Sequence, residues 1–131
     1  MFEMFEAQLL TPEGALFEGE VFTVTVPGTL GNFQILFNHA PIVSTLSIGK
    51  ITIVTSSNDE LIFAVSGGFL EMNDNKLTIL AEKAEKADSI DKEEAFKLRE
   101  EAKKKLRKAT GNREEAEREL AKAENRVKVA G

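Results

Sequence analysis

The side chains able to do chemistry are few, and their spacing sets what they can do. The single histidine, His39, precedes Ala40-Pro41. An imidazole there could serve as a base or a metal ligand, but a triad needs a nucleophile and an orienting carboxylate, and a zinc site needs further His or Cys. The 131 residues contain no Cys and no second His. His39 is therefore expected to be a loop residue that hydrogen-bonds backbone groups where the chain turns. Glu18 and Glu20 could share acid and base roles in a small hydrolase, but no surrounding motif supports this, and the pair also fits solvent-facing residues at a turn. Gly67-Gly68 lacks the Gly-Lys-Ser/Thr and helix start of a phosphate-cradling loop. It reads instead as a bulge or a point of close backbone approach. Lys103-Lys104-Lys105, with Arg107 and Lys108, forms a basic run of the kind that is usually a solvated helix end complementing the dipole.

These residues sit in two unlike halves. Residues 1–81 hold two basic and nine acidic side chains, residues 82–131 fifteen basic and thirteen acidic, and eight of nine Phe and all three Pro precede residue 82. The composition break marks a boundary, giving one domain over 1–84 and a helical segment over 85–131. Period-two alternation predicts strands around Phe5–Leu10, 21–26, Phe33–Phe37, Ile42–Leu46, Lys50–Thr55, Leu61–Ser66, Phe69–Met72 and Lys76–Leu80, with Phe22, Val24 and Val26 sharing one face. Many short strands separated by turn-forming groups suggest an antiparallel β-sandwich or barrel.

Beyond Asp88 the strong helix formers take over. Asp91 with Glu94, and Asn112 with Glu115, have N-cap spacing, and Gly111 supplies a stop. An antiparallel two-helix hairpin follows, with helices from about Asp91 to Ala109 and from Arg113 to about Lys128. Its apolar stripes are thin: Ala95, Leu98, Ala102, Leu106 and Ala109 on the first helix, and Ala116, Leu120, Ala123 and Val127 on the second. Burying a Leu or Val stabilises by roughly 1.5 to 3 kcal/mol and Ala by much less, so the hairpin should form readily yet dock weakly.

Four segments carry a family resemblance: Leu10-Thr11-Pro12-Glu13-Gly14; Val26-Pro27-Gly28-Thr29 leading into Asn38-His39-Ala40-Pro41; Ala64-Val65-Ser66-Gly67-Gly68-Phe69-Leu70-Glu71; and Asn125-Arg126-Val127-Lys128-Val129-Ala130. In this order the chain resembles the epsilon subunits of F-type ATP synthases. The resemblance implies a non-catalytic central-stalk subunit of a proton-translocating enzyme, coupling the gamma subunit to the c-subunit ring. It further implies that the helices inhibit ATP hydrolysis when they extend into the alpha/beta catalytic head. It places a c-ring docking loop at Leu30, Gly31, Asn32, His39, Ala40 and Pro41, and a gamma contact at Gly67, Gly68 and Phe69. Its inhibitory basic surface comprises Lys103, Lys104, Lys105, Arg107, Lys108, Arg113, Arg118, Lys122 and Arg126, attracted to acidic surfaces of the beta subunits.

Some relatives bind ATP at the hairpin through an Ile/Leu-Asp-x-x-Arg-Ala motif. Here Ile90, Asp91, Ala95 and Arg126 remain, but Glu94 stands at the motif's Arg position, where a carboxylate repels triphosphate. No cofactor and no tight ATP site are expected. Asn32 likewise replaces the acidic residue that relatives often set against the c ring.

An acidic docking domain argues against nucleic acid. Met1-Phe2-Glu3-Met4-Phe5-Glu6 shows no leader-like pattern, and no stretch approaches the roughly 18 to 20 apolar residues of a spanning helix. The expectation is a soluble chain that meets the membrane only through its complex, at the cytoplasmic face of a bacterial plasma membrane or an organellar equivalent. A stand-alone module that binds a nucleotide or peptide through its sandwich is the competing class, separable by whether gamma copurifies.

Overall fold

The computed structural model describes residues 3–131; Met1 and Phe2, which open the segment expected to carry no leader, lie outside the described residues. The elements are β1 (Phe5–Thr11), β2 (Gly14–Gly28), β3 (Gly31–Ile35), β4 (Ile42–Thr55), β5 (Glu60–Asn73), β6 (Lys76–Ala81), β7 (Ala84–Lys86), a 3-10 turn (Ala87–Ser89), α1 (Lys92–Lys108) and α2 (Arg113–Ala130). The strands run in the order β1-β6-β5-β4-β2-β3, β7 lies beside β5, and a further pairing of β1 with β2 closes the sheet on itself. Closure leaves few unpaired edges, a liability that open sheets must cover by other means. Most pairings are antiparallel as expected, but β1 and β6 are parallel.

Alternation builds the core. Phe5, Ala7 and Leu9 of β1 and Leu77, Ile79 and Ala81 of β6 point inward, meeting Ile51, Ile53, Leu70 and Met72. Each large aliphatic side chain removed from water contributes roughly 1.5 to 3 kcal/mol.

The β2 phase differs from the sequence expectation. Val21, not Phe22, is buried with Val24 and Val26, because the register against β4 shifts between Val21 and Thr23. An irregularity of this kind flips which neighbours face inward. The separate runs expected at 42–46 and 50–55, and at 61–66 and 69–72, prove to be two continuous strands, β4 and β5, of 14 residues each. Their glycines are sites of close approach rather than breaks: a Cβ on Gly49 would stand 2.6 Å from Pro27 Cβ, and one on Gly68 2.1 Å from Leu80 O. The sheet also continues past the 84/85 boundary, since Ala84, Glu85 and Lys86 pair with Val65, Ala64 and Phe63.

Both helices begin where their caps predict. Asp91 Oδ1 accepts the Glu94 N–H at 3.2 Å and Asn112 Oδ1 accepts the Glu115 N–H at 3.4 Å, satisfying amides that a helix start leaves open. At the other end of α1, Arg113 Nη1 donates to Leu106 O and Ala109 O at 3.2 and 3.3 Å. Helix α2 lies on β4 and β5, and α1 packs against α2. The seam buries Ala95, Ala102 and Ala123, whereas Leu98, expected in the stripe, is 40% exposed.

Candidate functional site: the helix seat and the docking faces

The seat of α2 is written into β5. Phe63 through Gly67 are all buried, without alternation, which requires cover on both faces of the strand. On the outer face Ala64 joins Ile90 and Ala95, packed by Val127, Val129 and Ala130. Small residues let the helix approach but supply little apolar area, and polar contacts make up the difference. Asn125 Nδ2 donates to Gly49 O at 2.8 Å and to Val65 O at 3.4 Å, bridging residues opposite each other on β4 and β5. Arg126 forks onto Glu85, with Nε 2.6 Å from Oε1 and Nη2 3.1 Å from Oε2, and its Nη1 lies 3.8 Å from Glu94 Oε1. One guanidinium thus ties α2 to β7 and α1, in a setting where the Arg126 and Glu85 side chains are only 20% and 26% exposed. Paired, part-buried forks of this kind are stronger than ordinary surface ion pairs. Arg118 also reaches Glu82 at 3.1 Å, but both are more than half exposed.

These contacts divide the basic set. Arg113 closes α1, and Arg118 and Arg126 hold α2 to the sandwich. Lys103 bonds Glu100 at 3.3 Å, and that bond, aided by Arg99, holds the Glu100 carboxyl below its ordinary range. Lys105 stands 4.0 Å from Glu119 with most of its side chain in solvent. Lys104, Arg107 and Lys108 are exposed and make no ion pair among the described residues, while Lys122 is half-buried beside Ser66, Lys83 and Arg126.

The nucleotide-motif residues are spent on structure. Ile90 and Ala95 are buried in the seat, Asp91 caps α1, and Arg126 faces two carboxylates.

The docking-loop residues fall on two elements. Leu30, fully exposed, forms the β2–β3 hairpin tip, with Gly31 and Asn32 opening β3. Thr29 ties that tip to Thr45 through N–H to O at 3.3 Å and Oγ1 to Oγ1 at 3.0 Å. His39, Ala40 and Pro41 belong to the later connection between β3 and β4. His39 Nδ1 lies 2.7 Å from Ala40 O, so that nitrogen carries the proton and donates.

Gly67 and Gly68 answer an internal demand: the backbone that approaches Gly68 is the chain's own Leu80-Ala81, and Glu82 approaches Gly67. Beside them the sheet shows an apolar outer row, Phe69 opposite both Thr45 and Leu80, with Leu10 opposite Leu80. Val43 extends it, at 69% exposure against 45% for Phe69. Single exposed apolar residues are ordinary, but a contiguous row across four strands marks a contact surface. Glu18 and Glu20 lie within β2, not at a turn, because Gly19 pairs with Ala7 as a strand residue. Among the described residues no cluster of His, Asp or Glu is arranged for a metal.

The structure is thus a closed sandwich with an apolar outer row and a small-residue seat on which a helical hairpin packs. Residues 4–87 match the family described as ATP synthase, Delta/Epsilon chain, beta-sandwich domain, and residues 88–131 match the ATP synthase, Delta/Epsilon chain, long alpha-helix domain. The chain belongs to the ATP synthase delta/epsilon chain family. It is 38% identical over 128 residues to the ATP synthase epsilon chain of Bacillus velezensis, covering 96% of each chain. To that of Halalkalibacterium halodurans it is 40% identical over 126 residues, covering 94% of each. Its fold is similar to a chain of the Euglena gracilis mitochondrial ATP synthase OSCP/F1/c-ring structure, with a TM-score of 0.84, 22% identity, and coverage of 95% of this chain and 81% of that one.

The seat contacts leave no local mark in the sequence. Asn125 and Arg126 lie in the segment Asn125–Ala130, but their partners are 76, 60 and 41 residues away, and no local spacing reports such pairs.

Proposed function

We propose that this chain is a non-catalytic central-stalk subunit of a proton-translocating F-type ATP synthase. Its sandwich couples gamma to the c-subunit ring, through the apolar row around Phe69 and the loops at Leu30–Asn32 and His39–Pro41. Its hairpin inhibits ATP hydrolysis by leaving the seat and presenting Lys104, Lys105, Arg107 and Lys108 to the alpha/beta catalytic head. The observation that carries this is the seat itself, an Ala-rich contact held by a handful of polar bonds, so that the arm can depart with its helices intact. The chain would reach the membrane only through the complex, as a peripheral subunit at the cytoplasmic face of a bacterial plasma membrane or its organellar counterpart. No described helix is long and apolar enough to cross a membrane.

The test compares ATP hydrolysis by reconstituted head and gamma with the full chain and with a form ending at Ser89, which retains β7. The full chain should inhibit and the short form should not. Equal rates would leave only the docking role.

Arg126, the motif cation that remains, is already matched by Glu85 and Glu94, and Glu94 itself repels a triphosphate at this seat. Millimolar ATP should therefore leave the Tm unchanged, whereas a ligand at a hundred times its Kd would add about 2.7 kcal/mol. Glu94→Arg should raise ATP binding in the same assay; a large shift for the unaltered chain would contradict the assignment.

A further inference from the structure

We propose that Asn75 is a positioning residue for the connection between β3 and β4, its side chain clamping Asn38 and so fixing the segment that presents His39, Ala40 and Pro41. Asp74 and Asn75 occupy the two central positions of the β5–β6 hairpin, at φ 49° and 58°. Positive φ at both positions is the geometry in which Gly is favoured second, because it has no Cβ to strain. Asn75 forgoes that advantage, and what it adds is an amide.

Both ends of the amide hydrogen-bond across the fold. Asn75 Oδ1 accepts the Asn38 N–H at 2.6 Å, and Asn75 Nδ2 donates to Asn38 Oδ1 at 2.9 Å. Asn38 is itself at φ 63°, a conformation few residues other than Gly and Asn adopt readily. The clamp is anchored in turn, since Asn75 O accepts the Glu6 N–H of β1 at 3.0 Å. Immediately after Asn38, the His39 N–H reaches Leu36 O at 3.1 Å, so the loop closes on itself around the clamped residue. The other half of the expected docking surface, at Leu30, is tied separately through Thr29 and Thr45. Asn75 therefore governs the His39 half alone.

The clamp stands on geometry; its consequence for docking rests on the proposed function. Asn75→Gly and Asn38→Gly both suit positive φ, so neither should unfold the chain. Amide exchange at Asn38, His39 and Ala40 is measured on the full chain for both variants and their combination, beside the melt. Loss of the reciprocal bonds should accelerate exchange roughly tenfold in Asn75→Gly, with the Tm unchanged or raised. Asn75→Asp, which keeps the acceptor but not the donor, should fall between. The double variant should be no faster than the faster single one, as expected of one shared interaction. Exchange unaltered in Asn75→Gly overturns the clamp, whatever the ring does. Binding of each variant to the c-subunit ring with gamma forms the second arm. Weaker binding in step with faster exchange supports the positioning role; faster exchange with unchanged binding supports the clamp and counts against the loop as the ring contact.

Discussion

The sandwich and the hairpin seat are both built on β5, yet they are held by different means. Around Leu70 and Met72 the strand alternates, and each inward side chain meets a closed core of Leu, Ile and Val. Six residues earlier, around Ala64 and Ser66, the outer face meets only Ala95, Ile90 and the end of α2, and the bonds that fix the helix are polar. Apolar burial is non-directional and lost only by unfolding, whereas an amide on two carbonyls or one forked ion pair can be exchanged for water or for another partner. The difference teaches that one strand can belong to a dense apolar core on one side and to a sparse, mainly polar contact on the other.

Substitutions should separate these regimes, in descending order of effect. Ile53→Ala in the core should cost about 2 to 5 kcal/mol and lower the Tm of the whole chain. Arg126→Ala should release α2 by about 1.5 to 3 kcal/mol, toward the lower end because the fork is partly solvated. The sandwich melt should stay in place while α2 amides lose protection. Asn125→Ala should weaken docking by about 1 kcal/mol through the bonds to Gly49 and Val65. Arg118→Ala, removing an exposed pair with Glu82, should change docking by less than about 0.5 kcal/mol. A result in which Arg118 outweighs Arg126 would break the comparison, because exposure would then not be what ranks the contacts.

Much of the architecture could be read from residue patterns alone. The caps at Asp91 and Asn112, the Gly111 stop and the change of period near Asp88 locate both helices, because each signal acts within a few residues. The alternation of Phe5, Ala7 and Leu9 is legible for the same reason. What escaped is long-range. The start of β2 at Gly14, the phase shift at Phe22 and the run of β5 through Gly67-Gly68 depend on the partner strand. Leu98 matched the helical stripe by spacing, but α2 is the helix against the sheet, and α1 faces it along Ala95 and Ala102. Contacts of Arg118 and Arg126 with Glu82 and Glu85, 36 and 41 residues away, take these two cations out of the basic surface that the resemblance implies and tie α2 to the sandwich, while Arg113 closes α1 locally.

In the proposed function docking and inhibition draw on different cations of the same arm, and steady-state ATP hydrolysis by reconstituted head and gamma tests that division most directly. Arg126→Ala should strengthen inhibition relative to the unaltered chain, because it frees the arm. Replacing Lys104, Lys105, Arg107 and Lys108 together by Ala should relieve inhibition with the helices intact, since Ala is at least as good a helix former. Raised salt should weaken inhibition by the unaltered chain more than by the quadruple variant. Opposite shifts from the two substitutions are the predicted result; shifts in the same direction would contradict the account.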